Sequence, residues 1–151
     1  MADATLKARL DQVLKQALLG HDSFTATTIR GLKSAILYAE VAAHKRDEGL
    51  SDAEIQVVLA KEAKKRQESA DLYVQGGRQE LADSELREKA LIETFLPAQI
   101  SDQELTKLVD EVIAANPDVQ MGQLIGLVKQ QAGPGADGGR IAALVRARTN
   151  A

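Results

Sequence analysis

The chain has no cysteine and no tryptophan, and aromatic residues make up only 3% of it. Without cysteine there is no disulfide, no thiolate nucleophile and no cysteine-ligated metal. With so few aromatic side chains, the core has to be built from Leu, Ile, Val and Ala, which bury less apolar area per residue. These absences exclude thiol chemistry and a disulfide-stabilised fold.

Long hydrophobic runs are also missing. No apolar stretch approaches the roughly 20 residues that a helix needs to cross a bilayer. The segment Met1 to Ala4 lacks the basic region and apolar core of a signal peptide. Together with the lack of cysteine, this predicts a cytoplasmic protein that does not contact a membrane.

Neither sign of charge dominates, since the formal net charge is −3. Any binding site for a polyanion must therefore be local. Through Pro97 the chain has 14 basic and 16 acidic residues, whereas Gln120 to Ala151 has four basic residues and one acidic residue. The positive bias is therefore confined to the last part of the chain.

The pattern that is present is helical. Apolar residues recur at three- and four-residue intervals, and no segment alternates with a period of two. We predict an all-α fold of seven helices. The first four are expected at about 3–19, 25–46, 51–74 and 79–95, the last of these with Leu81, Leu86, Leu91, Ile92 and Phe95 facing inward. The fifth helix is expected to end at Asn116. The sixth is expected to cover Met121 to Val128, and the seventh to cover Ile141 to Val145.

The strongest boundary in the sequence lies at Pro97. Proline lacks an amide donor and disfavours helical geometry at the preceding residue. Ser101 and Glu104 then form a Ser-x-x-Glu capping box, which begins a new helix. We therefore predict an N-terminal unit of about four helices over 1–97 and a C-terminal three-helix unit over 98–151.

Several short motifs on both sides of this boundary resemble those of the GatB/YqeY domain family. They are Thr28-Ile29-Arg30, Lys61-Glu62-x-x-Lys65-Arg66, Gly77-Arg78-x-Glu80-Leu81, Phe95-Leu96-Pro97-x-Gln99-Ile100-Ser101, Met121-Gly122-x-x-Ile125-Gly126 and Ala136-Asp137-Gly138. The stand-alone members of that family are similar to the tail of the B subunit of the glutamine-dependent tRNA amidotransferase. That tail is a helical appendage that engages tRNA and is not the catalytic body. The resemblance implies a tRNA-associated module without chemistry of its own, with tRNA, amidotransferase subunits or an aminoacyl-tRNA synthetase as candidate partners.

The positively biased end supplies the first candidate RNA-binding residues. They combine four cations with two glycine amides at a helix start, which can hold a phosphate: Lys129, Gly138, Gly139, Arg140, Arg146 and Arg148. A secondary basic patch is predicted from cations of the first unit: Arg30, Lys33, Lys61, Lys65, Arg66 and Arg78. The alternative for this patch is a solvated helix face, on which Glu62 pairs with Arg66 four residues later.

Motifs for catalysis are weak. Gly133 to Gly138 matches Gly-x-Gly-x-x-Gly but follows a helix rather than a strand, so we predict no nucleotide cofactor. His21 and His44 have no second ligand at metal-binding spacing, and there is no serine elbow. We predict no catalytic residue, no cofactor and no metal, and the sequence sets no oligomeric state. Two alternatives stay open: a component of carbon–nitrogen ligation with glutamine as amide donor, or a protein–protein adaptor.

Overall fold

The computed structural model describes residues 4–149, and of Pro134 the backbone alone. Over that range the chain forms seven α-helices, one short 3₁₀ turn and no strand, which confirms the all-α prediction. The helices are α1 (Leu6–Leu19), α2 (Ser23–Ala42), α3 (Asp52–Gln75), α4 (Gln79–Glu93), α5 (Asp102–Ala115), α6 (Met121–Ala132) and α7 (Gly138–Thr149). Helix α1 begins three residues after its predicted start at residue 3, because Thr5 is its N-cap and its hydroxyl accepts the Ala8 amide at 3.1 Å. None of the helices between residues 4 and 149 is both long and apolar enough to cross a membrane.

The chain forms two compact units, one ending at Leu96 and the other beginning at Pro97. Helices α1 to α4 belong to the first unit and α5 to α7 to the second. The first unit is built around buried Leu6, Leu10, Ile29, Leu32, Ile36, Ile55, Leu59, Ala63, Ile92 and Phe95. The second is built around buried Leu105, Val109, Val112, Leu124, Val128, Ala136, Ile141 and Val145. Each unit therefore has an aliphatic core of its own.

Two helix starts have the capping boxes that the sequence predicts. The Ser51 hydroxyl accepts the Glu54 amide at 3.2 Å, and the Glu54 carboxylate accepts the Ser51 amide at 2.8 Å. Ser101 and Glu104 form the same reciprocal pair at the start of α5. Because each box satisfies two amides that have no partner inside the helix, it defines the first turn of α3 and of α5.

The predicted bounds of α2, 25–46, are wrong at both ends. The helix starts at Ser23 because the Asp22 carboxylate accepts the Thr25 amide at 3.1 Å. It ends at Ala42 because His44 adopts a left-handed conformation, with φ 57°. The Lys45 amide then donates to the Glu40 carbonyl at 2.8 Å, which is the closing bond of a Schellman motif.

Helix α4 has the predicted inward face at its C-terminal end, where Ile92 and the following Phe95 are buried, but not in its first part. Leu81 and Leu86 are exposed, whereas Ala82 is buried. Helices α3 and α4 pack mainly on each other, and near the turn that joins them only Ala70 and Ala82 are buried. We call this part, residues 64–86, the α3–α4 arm. Its small buried alanines bring the helices together and leave the larger leucines outside.

Candidate nucleic-acid interface

The connector before α7 packs closely on the segment before α5. The Ile100 amide donates to the Gly135 carbonyl at 2.7 Å. A Cβ added to Gly135 would lie 2.8 Å from Cγ1 of Ile100, closer than non-bonded carbon atoms approach. The glycine-rich run Gly133–Gly138 is therefore a packed connector within the second unit, as the helical context predicts.

Arg140, one of the candidate RNA-binding residues, is used inside this unit. Its guanidinium donates to the Asp102 carboxylate at 2.6 and 3.2 Å and to the Ile100 carbonyl at 2.7 Å. These bonds join the first turn of α7 to the start of α5. Three of the five N–H donors of Arg140 are used in these bonds, and because they fix the start of α7 against α5 we assign Arg140 a structural role.

The N-terminus of α7 is capped by Asp137. Its carboxylate accepts the Arg140 amide at 2.8 Å, and its carbonyl accepts the first intrahelical donor, Ile141, at 3.1 Å. The amides of Gly138 and Gly139 precede that donor, so neither has an acceptor within the helix. The Lys129 ammonium lies 3.9 Å from the position that a Cβ on Gly138 would take. The Lys129 ammonium therefore lies near the same helix end as the Gly138 and Gly139 amides.

Arg146 and Arg148 point to different surroundings. Arg148 donates to the Asp110 carboxylate at 3.2 Å, and both side chains are about half exposed. Arg146 is exposed and makes no ion pair within residues 4–149. It follows Gly139 by about two helical turns on the same side of α7, about 10 Å along the axis. Gly138 and Ala142 lie next to this side of the helix, and we call Lys129, Gly138, Gly139, Ala142 and Arg146 together the α7 strip.

Within the described part of the chain, Lys129 also has no ion-pair partner. The α7 strip thus has a free cation at each end and small residues between them. Asp137 is the acidic residue next to it, and its carboxylate is already bound to the Arg140 amide. The strip brings together four of the six predicted residues, while Arg140 and Arg148 are engaged with α5.

The secondary basic patch is partly neutralised by ion pairs. Lys33 donates to Asp11 at 2.5 Å. Lys65 pairs with Glu62 at 3.1 Å, and Arg66 pairs with the same carboxylate. The expected Glu62–Arg66 pair is therefore confirmed, and the Arg66 side chain is only 18% exposed.

The other three members of that patch are exposed and have no ion pair within residues 4–149, but they lie on separate elements. Arg30 is on α2, Lys61 is on α3, and Arg78 precedes α4 at the turn of the arm. The rise of α3 alone separates Lys61 from that turn by about 20 Å. The predicted patch is thus a set of separate cations rather than one surface.

Two carboxyl groups near Arg66 are shifted in opposite directions. Burial raises the pKa of Glu62, but hydrogen bonds from Lys65 and Arg66 outweigh it, so the pKa lies below its usual 4.5. Burial raises the pKa of Glu88 above 4.5, and the charge of Arg66 offsets this only in part. Arg66 therefore stabilises ionised Glu62 far better than ionised Glu88, which it approaches only to 3.9 Å.

Glu40 is an important residue that the apolar stripe predicted for α2 does not include. It is buried, and it accepts a hydrogen bond from the Lys7 ammonium at 2.7 Å. The signal for its burial is its spacing, because position 40 continues the series Ile29, Leu32, Ile36 by four residues. Lys7 is half exposed, so this pair joins α1 to α2 at the edge of the core.

Groups of three or more histidine or acidic side chains that could hold a metal ion do not occur within residues 4–149. The two histidines occupy left-handed positions at the ends of α1 and α2, with φ 56° for His21 and 57° for His44. Their position is explained by helix termination.

Comparison with known proteins gives one family and several fungal relatives. A family model described as Yqey-like protein matches residues 7–149. The protein named altered inheritance of mitochondria protein 41, mitochondrial, from Kluyveromyces lactis is 28% identical over 134 residues, covering 85% of this chain and 71% of the relative. Its namesake from Meyerozyma guilliermondii is 30% identical over 138 residues, covering 87% of this chain and 70% of the relative. Both relatives are named as mitochondrial, which contradicts the prediction of a cytoplasmic protein.

Proposed function

The chain belongs to the YqeY-like family, and from this membership we propose that it is a non-catalytic helical module that binds tRNA through the phosphate backbone. The observation that supports this most directly is the α7 strip. Lys129 and Arg146 are its two free cations, and between them Gly138 and Gly139 place no side chain over the helix backbone, although the Asp137 carboxylate lies 3.3 Å from the position of a Cβ on Gly139. A phosphate at the start of α7 would meet the Lys129 ammonium and the amides of Gly138 and Gly139.

Arg148 extends this surface. Its ion pair with Asp110 is half exposed on both sides, and exposed pairs of this kind contribute little to stability. A phosphate can therefore replace Asp110 at low cost. Arg140 is assigned a structural role instead, because replacing its bonds would separate α7 from the start of α5.

Contacts of this kind define how the module recognises RNA. Ammonium, guanidinium and backbone amide groups bind phosphate oxygens and carry little base information. Binding is expected to select RNA by shape and charge rather than by sequence. Which tRNA is bound would then depend on a protein partner, for which amidotransferase subunits or an aminoacyl-tRNA synthetase are our candidates.

The test is the affinity of purified protein for tRNA across a series of salt concentrations. Lys129→Glu with Arg146→Glu should lower the affinity by at least about tenfold. It should also reduce the slope of log affinity against log salt by roughly 1.5, because each lost phosphate contact removes about 0.7–0.9 from that slope. The matched control is Lys15→Glu with Lys107→Glu, which makes the same change in charge at two exposed, unpaired lysines outside the strip.

A third variant separates the two predicted surfaces. Lys61→Glu with Lys65→Glu alters the first unit and should bind tRNA like the control. If that variant loses affinity while the strip variant does not, the site lies on the first unit. Equal losses in all three variants would mean that net charge alone drives binding, and the strip would then have no special role.

The absence of catalysis is tested separately. Incubation with glutamine, ATP and a misacylated tRNA should give neither glutamate nor amidated product above background. Turnover abolished by a single substitution would favour the alternative, a direct part in carbon–nitrogen ligation with glutamine as amide donor. Co-purification with amidotransferase subunits at salt that abolishes RNA binding would indicate a partner role that does not depend on RNA.

A further inference from the structure

Helix α2 leaves an apolar face uncovered. One side of the helix is buried in the first core through Ile29, Leu32 and Ile36. On the other side Tyr38 is 80% exposed, and it is flanked by Leu37 at 46% and Val41 at 52%. Tyr38 is the one exposed residue among the four aromatics of the chain, all of which are described. Contiguous exposed apolar side chains mark interaction surfaces.

The exposed face follows a regular seam. Gly31, Ser34, Tyr38 and Val41 are spaced by three, four and three residues, which places them in one line along the helix. The two small residues come first and the two large ones follow. A Cβ added to Gly31 would meet nothing within 4 Å, so the space above it is open.

A seam ordered in this way is complementary to itself in the antiparallel direction. If a second copy packs with its α2 reversed about a two-fold axis level with Ile36, Tyr38 faces Ser34 of the second copy and Val41 faces its Gly31. Each large side chain then fills the space above a small one, and the two Leu37 side chains meet beside the axis. A parallel pairing would place Tyr38 on Tyr38 and leave Gly31 opposite Gly31.

Charge favours the same arrangement. The seam carries no charged side chain. Arg30, which is exposed beside it, would lie level with Ala42 of the second copy, where the carbonyls that end the helix are partly negative. The two Arg30 guanidinium groups would be separated by about 18 Å of helix rise, beyond the Debye length of roughly 8 Å at physiological salt.

We propose that the exposed face of α2 is a self-association surface, through which two copies of this chain form an antiparallel, two-fold symmetric dimer. One helix face buries a few hundred Å² per copy, less than the roughly 800 Å² per partner of a stable complex. The dimer is therefore a transient one, with a dissociation constant in the micromolar range. It uses a different helix from the RNA-binding strip and does not depend on the proposed function.

Sedimentation equilibrium of the full chain tests the surface. The wild-type protein should show a concentration-dependent dimer, and Gly31→Leu should be monomeric because the new side chain occupies the space that Val41 of the second copy needs. Its melting temperature should not fall, since leucine is a better helix former than glycine and the site is open in the monomer. Gly122→Leu on α6, equally open, is the matched control and should dimerise like wild type. Tyr38→Ala should weaken the dimer by about 30-fold, as expected for an aromatic side chain at the centre of an interface.

Disulfide trapping tests whether the two α2 helices pack antiparallel. Because the chain has no cysteine, only the introduced cysteine can cross-link. In the antiparallel register Leu37→Cys lies close to its own symmetry mate, whereas two Thr27→Cys residues are about 27 Å apart. Leu37→Cys should therefore cross-link at least about ten times faster than Thr27→Cys. Equal rates would overturn the antiparallel register.

Three results would overturn the surface itself. The first is a wild-type chain that stays monomeric at the highest attainable concentration. The second is a Gly31→Leu variant that dimerises like wild type. The third is a monomeric wild type in which Tyr38→Ala lowers tRNA affinity, which would make this face an RNA-stacking site instead.

Discussion

Gly122 and Gly135 differ in what surrounds their missing side chains. Gly122 lies in the first turn of α6, where an added Cβ would meet nothing within 4 Å, whereas a Cβ on Gly135 would meet Ile100 at 2.8 Å. The first glycine therefore only weakens a helix. The second permits the contact that holds the connector before α7 against the segment before α5.

Alanine at these two positions should act in opposite directions. Gly135→Ala should destabilise the protein by about 1–3 kcal/mol, because Ile100 has to move out of a packed position. Gly122→Ala should stabilise it by up to about 1 kcal/mol, through the higher helix propensity of alanine. Urea unfolding followed by circular dichroism measures both. A Gly135→Ala variant as stable as wild type would show that Ile100 relaxes freely.

At the scale of single residues, the sequence predicted local partners better than distant ones. Ser51 with Glu54 and Glu62 with Arg66 were expected because helical spacing alone brings them together. The bonds from Arg140 to Asp102 and from Lys7 to Glu40 were not expected, since each joins residues 38 or 33 positions apart. Spacing along one helix carries no information on such pairs, and for this reason Arg140 was predicted as a free cation.

Helices α3 and α4 are linked by Arg66, which lies between Glu62 of its own helix and Glu88 of the other. The opposite pKa shifts of the two carboxyl groups predict opposite mutational effects. Glu62→Gln should lower the free energy of unfolding by about 1–2 kcal/mol at neutral pH, because a charged hydrogen-bonded partner is lost. Glu88→Gln should change it by less than about 0.5 kcal/mol or raise it, because burial already disfavours the ionised form.

The pH dependence follows from the same shifts. The pKa of Glu62 is lower in the folded protein than its usual 4.5, so its stabilising contribution is present above that value and is lost as pH falls through the lower native pKa. The difference between wild type and Glu62→Gln should therefore be large at about pH 7 and clearly smaller at about pH 3, below the usual pKa of 4.5. Urea titrations at the two pH values give the comparison. A difference that persists at low pH would have to come from packing, not ionisation.

At the scale of elements, the two helix starts with capping boxes were predicted well, whereas other helix bounds and part of one helix face were not. Capping boxes are local in sequence, so Ser51 and Ser101 could be identified directly. Helix α2 ends where His44 adopts a left-handed conformation. Glycine usually occupies that position, so a histidine there does not predict a helix end. The inward face of α4 depends on how closely it approaches α3, and the alanine seam allows an approach that leaves Leu81 outside.

For the whole molecule, the all-α class and the family could be predicted because both rest on patterns that extend along the entire chain. The arrangement of the basic residues could not be predicted, because it depends on which acidic side chains lie close enough to pair with them after folding. We also predict that residues 1–97 and 98–151 fold independently, and this has to be measured on the separate fragments. The prediction is supported by the separate cores of the two units.

Fragments ending at Leu96 and beginning at Ala98 provide the measurement. Each should show a helical circular dichroism spectrum and its own thermal transition, because each has its own core and caps. The smaller fragment should be the less stable one, since a domain of about 60 residues buries only around 60% of the surface of its unfolded chain. If both fragments are unfolded while the intact chain melts in a single transition, the two units fold only together.

The α3–α4 arm differs from the rest of the first unit in having two layers of helix and no third. From Ala63 toward the Gly76–Gly77 turn, each helical turn is held by its neighbours on one other helix, through alanine rather than leucine. Opening of the last turns therefore does not require the core around Ile55 and Ile92 to open. Amide hydrogen exchange along the arm should become steadily faster toward the turn, so that the arm opens one helical turn at a time while the rest of the unit stays closed.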